Sequence, residues 1–293
     1  MDGINLRLVA EMGMETHRDP VIMRCGSMEF RWGERTYVMG IINVTPDSFS
    51  GDGLGDDVEA AVAQGKRFAA EGADILDVGG ESTRPEAKPV SAEEEMRRVI
   101  PVVERLAGRV SVPVSVDTYR YEVAKQALAA GAQMINDIWG LQHDPRLAEL
   151  AAQYQVPIVL MSNQRNKKCE DIMPEVIASL TKSMALATER GVPLQNIIID
   201  PGVGFGKTLE QNLEIVWRLD ELKCLNRPIL IGTSRKSMIG LVLNVPPDQR
   251  LEGTAATVAI SIAKGADIVR VHDVAQMVRV CRMSDAVVRG RVR

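Results

Sequence analysis

Eight short runs of β-branched and aliphatic residues alternate with eight amphipathic stretches from Tyr37 to the end of this 293-residue chain. Strands that are apolar on both faces, with a helix after each, imply a parallel sheet that is covered on its outside. Closure of that sheet predicts an α/β fold, the (β/α)8 TIM barrel, for which the chain length is typical. The alternative is a doubly wound open sheet, which seldom needs eight parallel strands in one unbroken domain. The predicted strands are Val38–Asn43, Ile75–Gly79, Val112–Asp117, Met134–Ile138, Pro157–Met161, Ile197–Asp200, Ile229–Gly232 and Ile268–His272.

The amphipathic stretches between these runs predict helices. Several have residues that favour a helix start, such as Ser91, which opens a capping box, and Asp273, which stands directly before the last helix. Three helices end in similar glycine turns at Gly72–Asp74, Gly131–Gln133 and Gly265–Asp267, where glycine fits the left-handed position after a helix. The predicted helices are Asp57–Glu71, Ser91–Ala107, Tyr121–Ala130, Asp144–Tyr154, Pro174–Arg190, Leu209–Leu222, Arg250–Lys264 and Val274–Val288.

Residues 1–36 precede this alternation of strands and helices. Residues 1–36 are predicted to form an N-terminal extension with a short β-hairpin, and residues 37–293 the catalytic barrel. Met1–Pro20 has no clear periodicity, whereas Val21–Cys25 and Met28–Trp32 flank Gly26-Ser27 as two strands flank a tight turn. We interpret the hairpin as a candidate plug for the bottom of the barrel.

Composition and charge indicate an ordinary globular enzyme and give no basic footprint for nucleic acid. The chain is 45% hydrophobic and 25% charged, with a formal net charge of −4, so an anionic ligand must be met by local basic clusters. The scattered cysteines Cys25, Cys169, Cys224 and Cys281 lack neighbouring histidines, which disfavours a zinc site or disulfide framework. Because no apolar run suggests a membrane helix or a signal-peptide core, a cytoplasmic location is expected.

Polar side chains stand at the carboxyl ends of nearly all the predicted strands. In a (β/α)8 barrel these ends meet in one mouth, where catalytic groups gather. Each residue alone has an alternative role, because Asp and Asn also cap helices and stabilise turns. Their occurrence at successive strand ends favours a functional site. They are Asn43, Asp77, Asp117, Asn136, Asp200, the pair Ser234 and Lys236, and the pair Arg270 and His272, with Met161 as the apolar exception.

Five of these side chains suit a flat, nitrogen-rich heterocycle. Asp117, Asn136 and Asp200 offer acceptors for ring N–H and amino groups, and the amide adds one donor. Lys236 supplies a compact cation for a ring nitrogen or carbonyl oxygen. The planar guanidinium of Arg270 can stack on the ring or hold a phosphate oxygen. The set predicts a cradle for a pterin or a purine.

Two other features bear on anionic ligands. The loop Gly79–Ala87 carries Thr83 and Arg84 and is either an anion or substrate clamp or a solvated loop. His272 lies two residues beyond Arg270 on the same strand face, and this basic pair favours a phosphate or pyrophosphate partner. A buried, satisfied histidine is the alternative.

The segment Gly202–Thr208, GVGFGKT, resembles a phosphate-binding P-loop but fails its spacing. Pro201 stands where the first glycine of that motif should be, so the segment does not support an ATPase. We interpret it as a strand-to-helix turn whose glycines let the backbone or Phe205 approach a ligand.

Seven co-linear segments resemble the dihydropteroate synthases, a family of pterin-binding barrels. They are NVTPDSFS at Asn43–Ser50, DVGGESTRP at Asp77–Pro85, SVDT at Ser115–Thr118, INDI at Ile135–Ile138, DPGVGFGK at Asp200–Lys207, GTSRKSMIG at Gly232–Gly240 and RVHD at Arg270–Asp273. The resemblance implies a folate-biosynthesis transferase that condenses 6-hydroxymethyl-7,8-dihydropterin pyrophosphate with p-aminobenzoate. The products would be 7,8-dihydropteroate and pyrophosphate, formed by an SN1-like path. It further implies Mg²⁺ as cofactor, a homodimer and a target for sulfonamides.

The resemblance also implies roles for single residues. The expected catalytic residues are Lys236, Arg270, His272 and Asp117. The pterin contacts are expected at Asp117, Asn136, Asp200, Lys236 and Arg270, and the pyrophosphate contacts at Arg270 and His272. Thr83, Arg84, Phe205 and Ser234 resemble the p-aminobenzoate side, and Gly232 is expected to line the substrate site. Asn43 resembles a magnesium-associated residue, which is physically reasonable because Mg²⁺ keeps few protein ligands and binds mainly substrate phosphates.

Two positions depart from the family pattern, and two other functions stay open. Gly51 stands where an aspartate is expected, with Asp52 one residue later, and Ser162 stands where the family shows histidine. A methyltetrahydrofolate methyltransferase that serves corrinoid proteins is one alternative, but it has no pyrophosphate to hold and so does not account for the SRKS and RVHD segments. A non-catalytic pterin-binding or scaffold protein is the other, supported only by the altered loop at Gly51-Asp52.

Overall fold

The computed structural model describes residues 22–45, 57–82, 89–165 and 171–290. A two-stranded antiparallel hairpin is followed by eight parallel strands that alternate with helices. The predicted α/β class, the (β/α)8 TIM barrel and the short hairpin are therefore confirmed. The hairpin strands are β1 (Ile22–Cys25) and β2 (Met28–Arg31). The barrel strands are β3 (Tyr37–Asn43), β4 (Ile75–Gly79), β5 (Val114–Asp117), β6 (Met134–Asp137), β7 (Ile158–Met161), β8 (Ile197–Asp200), β9 (Leu230–Ile231) and β10 (Ile268–Val271).

The helices of the described residues cover the outside of the barrel. They are α1 (Val58–Glu71), α2 (Ala92–Ala107), α3 (Tyr121–Ala129), α4 (Arg146–Tyr154), α5 (Ile172–Glu189), α6 (Leu209–Trp217), α7 (Ser237–Leu243), α8 (Leu251–Ala263) and α9 (Val274–Arg289). Short 3-10 turns lie at Leu194–Asn196, Leu219–Leu225 and Pro247–Gln249. Within these ranges, no helix combines the length and the apolarity that crossing a membrane requires.

The strands follow one another around the barrel in the order β8-β7-β6-β5-β4-β3-β10-β9. A single parallel bridge between Ile199 and Ile229 joins β8 to the residue before β9, and the Ile199 amide donates to the Pro228 carbonyl at 3.0 Å. This contact closes the ring. The carboxyl ends of all eight strands consequently open into one mouth.

The interior of the barrel has an apolar lower layer and a polar upper layer. Side chains alternate across a strand, so residues two positions apart share the inner face. On β4 the inner face runs from buried Ile75 to Asp77, and on β10 it runs from buried Ile268 to Arg270. On these two strands, one step toward the mouth thus replaces an apolar side chain with a charged one. The lower layer comprises Tyr37, Met39, Ile75, Met134, Val159, Ile198, Leu230 and Ile268.

The hairpin closes the bottom of the barrel, as the sequence predicted. Met23, Cys25 and Phe30 are buried in the same cluster as the lower interior layer. The Phe30 ring lies 5.5 Å from the Trp32 ring and 4.8 Å from the Tyr37 ring, centroid to centroid. Burial of these aromatic side chains removes a large apolar area from water and holds the hairpin in place.

The predicted helix ends are largely confirmed. Gly72, Gly131 and Gly265 have φ values of 101°, 106° and 102°, which is the left-handed conformation that glycine allows without steric cost. Ser91 caps α2 by accepting a hydrogen bond from the Glu94 amide at 3.2 Å, but the predicted capping box is incomplete because the Glu94 carboxylate binds Arg97 and Arg98 instead. The turns that return the chain to β4, β6 and β10 therefore follow from local sequence.

Three local predictions were wrong. The helix predicted at Leu209–Leu222 ends at Trp217 and continues as a 3-10 turn, and Arg218 at the break binds carboxylates on both sides of it. Helix α7 was not predicted, since it is short and contains Gly240. Asp273 precedes α9 but its side chain does not cap that helix, because the carboxylate binds Arg235 at 2.5 and 2.9 Å.

Some predictions fall on residues that lie outside the described ranges. They concern the extension Met1–Pro20, the loop positions Gly51 and Asp52, the candidate substrate residues Thr83 and Arg84, and Cys169. Of the other cysteines, Cys25 and Cys281 are buried and Cys224 is exposed.

Candidate active site

Arg270 occupies the upper layer of the barrel between two carboxylates. Its Nε donates to Oδ2 of Asp77 at 2.6 Å, and its Nη2 donates to Oδ2 of Asp117 at 2.6 Å. The guanidinium projects from β10, and the carboxylates from β4 and β5, so the two bonds span strands that are not adjacent to β10. Charge-assisted bonds of this length are strong and directional, and they fix the plane of the guanidinium.

Asn136 on β6 joins the same cluster. Its Nδ2 donates to Oδ2 of Asp77 at 2.9 Å, the oxygen that also accepts from Arg270. Asn136 and Asp77 are both buried. Four strands thus contribute Asp77, Asp117, Asn136 and Arg270 to one connected floor.

Asp117 is a weaker acid than an ordinary aspartate. Burial raises the pKa of Asp117 to about 7, with Arg270 opposing the rise and Asp77 adding to it. A carboxyl group with this pKa changes its charge near neutral pH. Its capacity to accept hydrogen bonds from a ligand therefore varies with pH.

Lys236 and Asp200 form the other side of the floor. Lys236 stands directly before α7, and its Nζ donates to the carbonyl of Val203. Burial lowers the pKa of Lys236 to about 8, with Asp200 opposing the fall. Burial also raises the pKa of Asp200, against the effect of Lys236, and Asp200 accepts the Gly202 amide proton at 2.7 Å.

Hydrogen bonds from Lys207, and not a bound phosphate, account for the conformation of the loop Gly202–Thr208. Lys207 Nζ donates to the carbonyls of Ser162, Gly202 and Phe205 at 2.9, 2.8 and 3.2 Å. A P-loop lysine instead points at nucleotide phosphates. The structure therefore agrees with the rejection of an ATPase assignment.

Phe205 lies beside two cations. Nζ of Lys236 is 4.9 Å from its ring centroid, and the guanidinium carbon of Arg165 is 5.0 Å from the same point. Both distances allow cation–π attraction. The sequence predicted no role for the loop after β7. That loop places Arg165 beside Phe205, the side chain expected on the p-aminobenzoate side.

Ser234 and His272 are paired. The hydroxyl of Ser234 lies 3.0 Å from Nδ1 of His272 and also accepts the backbone amide proton of His272 at 3.2 Å. Gly232, directly after β9, lies close to the cationic residues, since a Cβ there would be 3.7 Å from Cβ of Arg270 and 3.9 Å from Nζ of Lys236. Ser234, His272 and Gly232 thus lie close to the cationic groups at the mouth, while their roles stay predictions.

Asn43 lies at the carboxyl end of β3 and is half-buried. It is paired in register with Gly79, the last residue of β4. Because the inner face of β3 alternates from Met39 through Ile41, Asn43 belongs to the face that lines the mouth.

A hydrogen-bonded network flanks the segment that contains Thr83 and Arg84. Glu81 accepts hydrogen bonds from the Tyr119 hydroxyl at 2.9 Å and the Val90 amide at 3.3 Å, and binds Arg120 at 2.7 Å. The His143 ring, to which the sequence assigned nothing, packs edge-on against Tyr119 at 4.6 Å. The loops after β4, β5 and β6 are therefore linked at the rim.

Two residues of this site were not assigned a role from sequence. Asp77 was recognised only as a polar residue within a strand-end motif, and Arg165 lies in a loop without a recognisable pattern. The alternation on β4 could have flagged Asp77, because a carboxylate two residues after an inward Ile75 must be buried. Arg165 offers no comparable signal.

This fold and floor define a pterin-binding (β/α)8 enzyme: the family described as pterin binding enzyme matches residues 39–272, and the chain belongs to it. Within that family it is similar to dihydropteroate synthases. The dihydropteroate synthase of Clostridium beijerinckii is 52% identical over 268 residues, which cover 91% of this chain and 100% of that protein. The resemblance noted in the sequence is confirmed.

Solved structures agree with this assignment. The dihydropteroate synthase of Clostridium difficile, determined in the presence of pteroic acid, has 48% identity and a TM-score of 0.84, with 88% of this chain and 98% of that chain covered. The Xanthomonas albilineans dihydropteroate synthase with 4-aminobenzoic acid has 43% identity and a TM-score of 0.86, with coverage of 92% and 98%.

Proposed function

We propose that this enzyme, as a dihydropteroate synthase, condenses 6-hydroxymethyl-7,8-dihydropterin pyrophosphate with p-aminobenzoate to give 7,8-dihydropteroate and pyrophosphate. The observation that carries the proposal is the connected floor in which Arg270 is clamped between Asp77 and Asp117. Such a floor presents a fixed cationic plane among acceptors. Its chemistry matches a flat ring with N–H donors and an anionic leaving group.

The pterin is assigned to the floor itself. Asp117, Asn136 and Asp200 supply acceptors for ring N–H and amino groups, and Lys236 donates a hydrogen bond to a ring nitrogen or carbonyl oxygen. Arg270 offers a flat face for stacking. Asn136 and Asp200 are buried and Asp117 is 11% exposed at its side chain, which strengthens their polar contacts with the bound ring.

The reaction proceeds by departure of pyrophosphate before attack. The C–O bond to the methylene breaks, its electron pair leaves with the pyrophosphate oxygen, and the electron-rich dihydropterin ring stabilises the resulting cation. Arg270 and His272 stabilise the negative charge that develops on the leaving group. The aniline nitrogen of p-aminobenzoate then forms the new C–N bond and loses a proton, so the step needs no strong base.

The p-aminobenzoate side is assigned to Phe205 and Ser234, together with Thr83 and Arg84 from outside the described ranges. Phe205 presents an aromatic face that Arg165 and Lys236 flank. An aryl amine can pack against such a face. Sulfonamides, which share this shape, are expected to compete for the same side.

Mg²⁺ is proposed to act with Asn43. The amide oxygen of Asn43 is a hard ligand at the mouth, and the described residues contain no cluster of three or more His, Cys, Asp or Glu that could hold a metal. That donor set fits a cation that takes most of its ligands from water and substrate phosphates. When bound, Mg²⁺ would supply positive charge to the pyrophosphate group.

A homodimer and a cytoplasmic location complete the proposal. Most large apolar side chains that are exposed in the described residues lie on α6 to α9 and include Trp217, Leu241, Met283 and Val287. An apolar face of this extent supports association with a second copy of the chain. The cytoplasm suits a pyrophosphate-bearing substrate and the exposed free thiol of Cys224.

The test is a reaction with purified protein, both substrates and Mg²⁺. We expect equimolar release of pyrophosphate and dihydropteroate, with no pyrophosphate release when p-aminobenzoate is omitted during multiple turnovers. Pterin binding without either product would instead indicate a non-catalytic pterin-binding protein.

A further inference from the structure

Asp77 is a fully buried carboxylate of the barrel floor to which no substrate is assigned. It is the middle residue of β4, it is paired with Ser115 of β5, and its side chain is fully buried. We propose that Asp77 is a positioning residue that fixes the guanidinium of Arg270 and the amide of Asn136 for pterin recognition. This inference rests on the proposed function and adds a specificity-determining residue to it.

The first part of the argument concerns Arg270. Nε and Nη2 lie on the same edge of a guanidinium group, and in this structure that edge is divided between Asp77 and Asp117. Two carboxylates on one edge hold the plane against rotation about the last bonds of the side chain. Neither bond uses a flat face or Nη1. Asp77 therefore orients the flat face of the Arg270 guanidinium, which stacks on the pterin, and the part of the same group that contacts the pyrophosphate.

The second part concerns Asn136. A carboxylate only accepts hydrogen bonds, so the contact with Asp77 requires the NH₂ end of the amide and turns its carbonyl oxygen away. Asn136 is thereby set to accept from a ligand, as Asp117 and Asp200 also do. The floor then has a run of acceptors, which selects a ring edge rich in N–H groups.

The third part is the way Asp77 uses its two oxygens. Both hydrogen bonds go to Oδ2, whereas Oδ1 is buried and has no hydrogen-bond partner among the described residues. Unpaired buried polar atoms cost stability, and each one calls for an explanation. A carboxylate kept for stability alone would satisfy both oxygens.

Asp74, three residues earlier, shows that alternative at the opposite end of the barrel. Its Oδ1 accepts from Arg35 at 2.5 Å, and its Oδ2 accepts from Arg35 and from the Val38 amide at 2.9 and 2.8 Å. Asp74 thus forms a complete ion pair remote from the mouth. It is the matched control for Asp77, because the same substitution removes the same charge beside an arginine.

The experiment compares Asp77→Asn with Asp74→Asn. Calorimetric titration with pterin-6-carboxylate reports pterin affinity, and steady-state kinetics report the KM of each substrate. For Asp77→Asn we expect the pterin Kd to rise at least about tenfold, the loss typical of a charge-assisted hydrogen bond, while the KM of p-aminobenzoate stays within about twofold. For Asp74→Asn we expect a lower Tm and an unchanged pterin Kd.

A purely structural role would give a different pattern. An unchanged pterin Kd in Asp77→Asn, or equal losses for both substrates that match those of Asp74→Asn, would overturn the inference. If the wild-type protein fails to bind pterin-6-carboxylate or to turn over, the proposed function fails instead.

A measurement on the wild-type protein covers the case in which Asp77→Asn does not fold. Nitrogen-15 NMR resolves arginine Nε–H groups, and Arg270→Lys identifies the Arg270 signal by its disappearance. We expect that signal to exchange slowly with solvent both without ligand and with pterin-6-carboxylate bound, because Asp77 holds the proton in both states. Rapid exchange in the pterin-bound state would contradict the proposal.

Discussion

The ammonium group of Lys236 lies against the ring of Phe205, with Nζ 4.9 Å from the ring centroid. The same Nζ donates to the Val203 carbonyl, so one lysine connects the loop after β8 to the start of α7. Desolvation of this cation is unfavourable, as its lowered pKa indicates. The lysine is therefore better explained by ligand binding than by stability.

Lys236→Ala should slow turnover far more than it alters the fold. We expect kcat/KM for the pterin substrate to fall by roughly a hundredfold, since a positioned cation is lost from a buried site, while Tm changes little. Steady-state kinetics and thermal unfolding measure the two effects. Lys182→Ala, which removes an exposed lysine from α5, is the control and should change neither. Unaltered catalysis in Lys236→Ala would contradict its assignment to the site.

The pH dependence of kcat/KM for the pterin substrate should be bell-shaped. Asp117 accepts from the ring only when ionised, and its raised pKa of about 7 places the acid limb there. Lys236 donates only when protonated, and its lowered pKa of about 8 places the alkaline limb there. Activity therefore rises toward pH 7 and falls above pH 8. Asp117→Asn should abolish the acid limb, and a flat wild-type profile from about pH 6 to 9 would be inconsistent with these assignments.

Ser234→Ala should weaken the binding of pyrophosphate, in addition to that of p-aminobenzoate, without weakening that of the pterin ring. The Ser234 hydroxyl lies 3.0 Å from Nδ1 of His272, so its loss removes one of the contacts that hold the imidazole toward the leaving group. We expect the inhibition constant of inorganic pyrophosphate to rise about tenfold, as for the loss of one hydrogen bond to a charged group. His272→Ala should show a similar change. A Ser234→Ala variant that loses affinity for pterin-6-carboxylate instead would place the serine against the ring.

Gly202→Ala should destabilise the protein through both backbone strain and a clash. Gly202 has φ +71°, and a Cβ there would lie 2.1 Å from the Ser162 carbonyl oxygen. We expect a loss of at least about 2 kcal/mol in urea unfolding. Gly33→Ala separates the two causes, because Gly33 has φ +83° with nothing within 4 Å, and should cost about 1 kcal/mol. Equal losses in free energy of unfolding in the two variants would mean that the loop around Ser162 moves enough to relieve the clash.

Val287→Glu should convert the proposed dimer into a folded monomer. Val287 is 72% exposed on α9, beside Met283 in the apolar face, and a buried charge there would oppose association. Light scattering coupled to size-exclusion chromatography measures the mass. Tyr154→Glu, at an exposed position of α4 outside that face, is the control and should have the same mass in solution as the wild type. A monomeric wild-type protein would contradict the dimer.

The strands and the turns before them were predictable because their signals are local. Each inner strand needs a short apolar run, and glycine after α1, α3 and α8 has a steric reason that does not depend on distant residues. The break after Trp217 was not predictable in this way. The pattern of apolar residues continues to Leu222, and the salt bridges of Arg218 with Glu214 and Glu221 are compatible with either conformation.

The candidate site was predictable in its residue types but not in its connections. Strand-end chemistry and the family resemblance both point to Asp117, Asn136, Asp200, Lys236 and Arg270. That Arg270 and Asn136 share one oxygen of Asp77 depends on side-chain geometry across residues 193 and 59 positions apart in the chain. Similarly, no sequence pattern places Arg165 over Phe205.

The closure between β8 and β9 makes one side of the barrel unlike the rest. There a single bridge at Ile199 joins the two sides of the seam, whereas five residue pairs join β3 to β4. Amide protons along this seam should exchange with solvent before those of the other strands, since fewer backbone bonds must break. Asp200 and Lys236 stand on opposite sides of the seam, whereas Asp77, Asp117 and Arg270 tie together β4, β5 and β10, which are connected through β3 without crossing the seam. Transient separation of β8 from β9 would thus move Lys236 away from Asp200, while the hydrogen bonds of Arg270 to Asp77 and Asp117 stay intact.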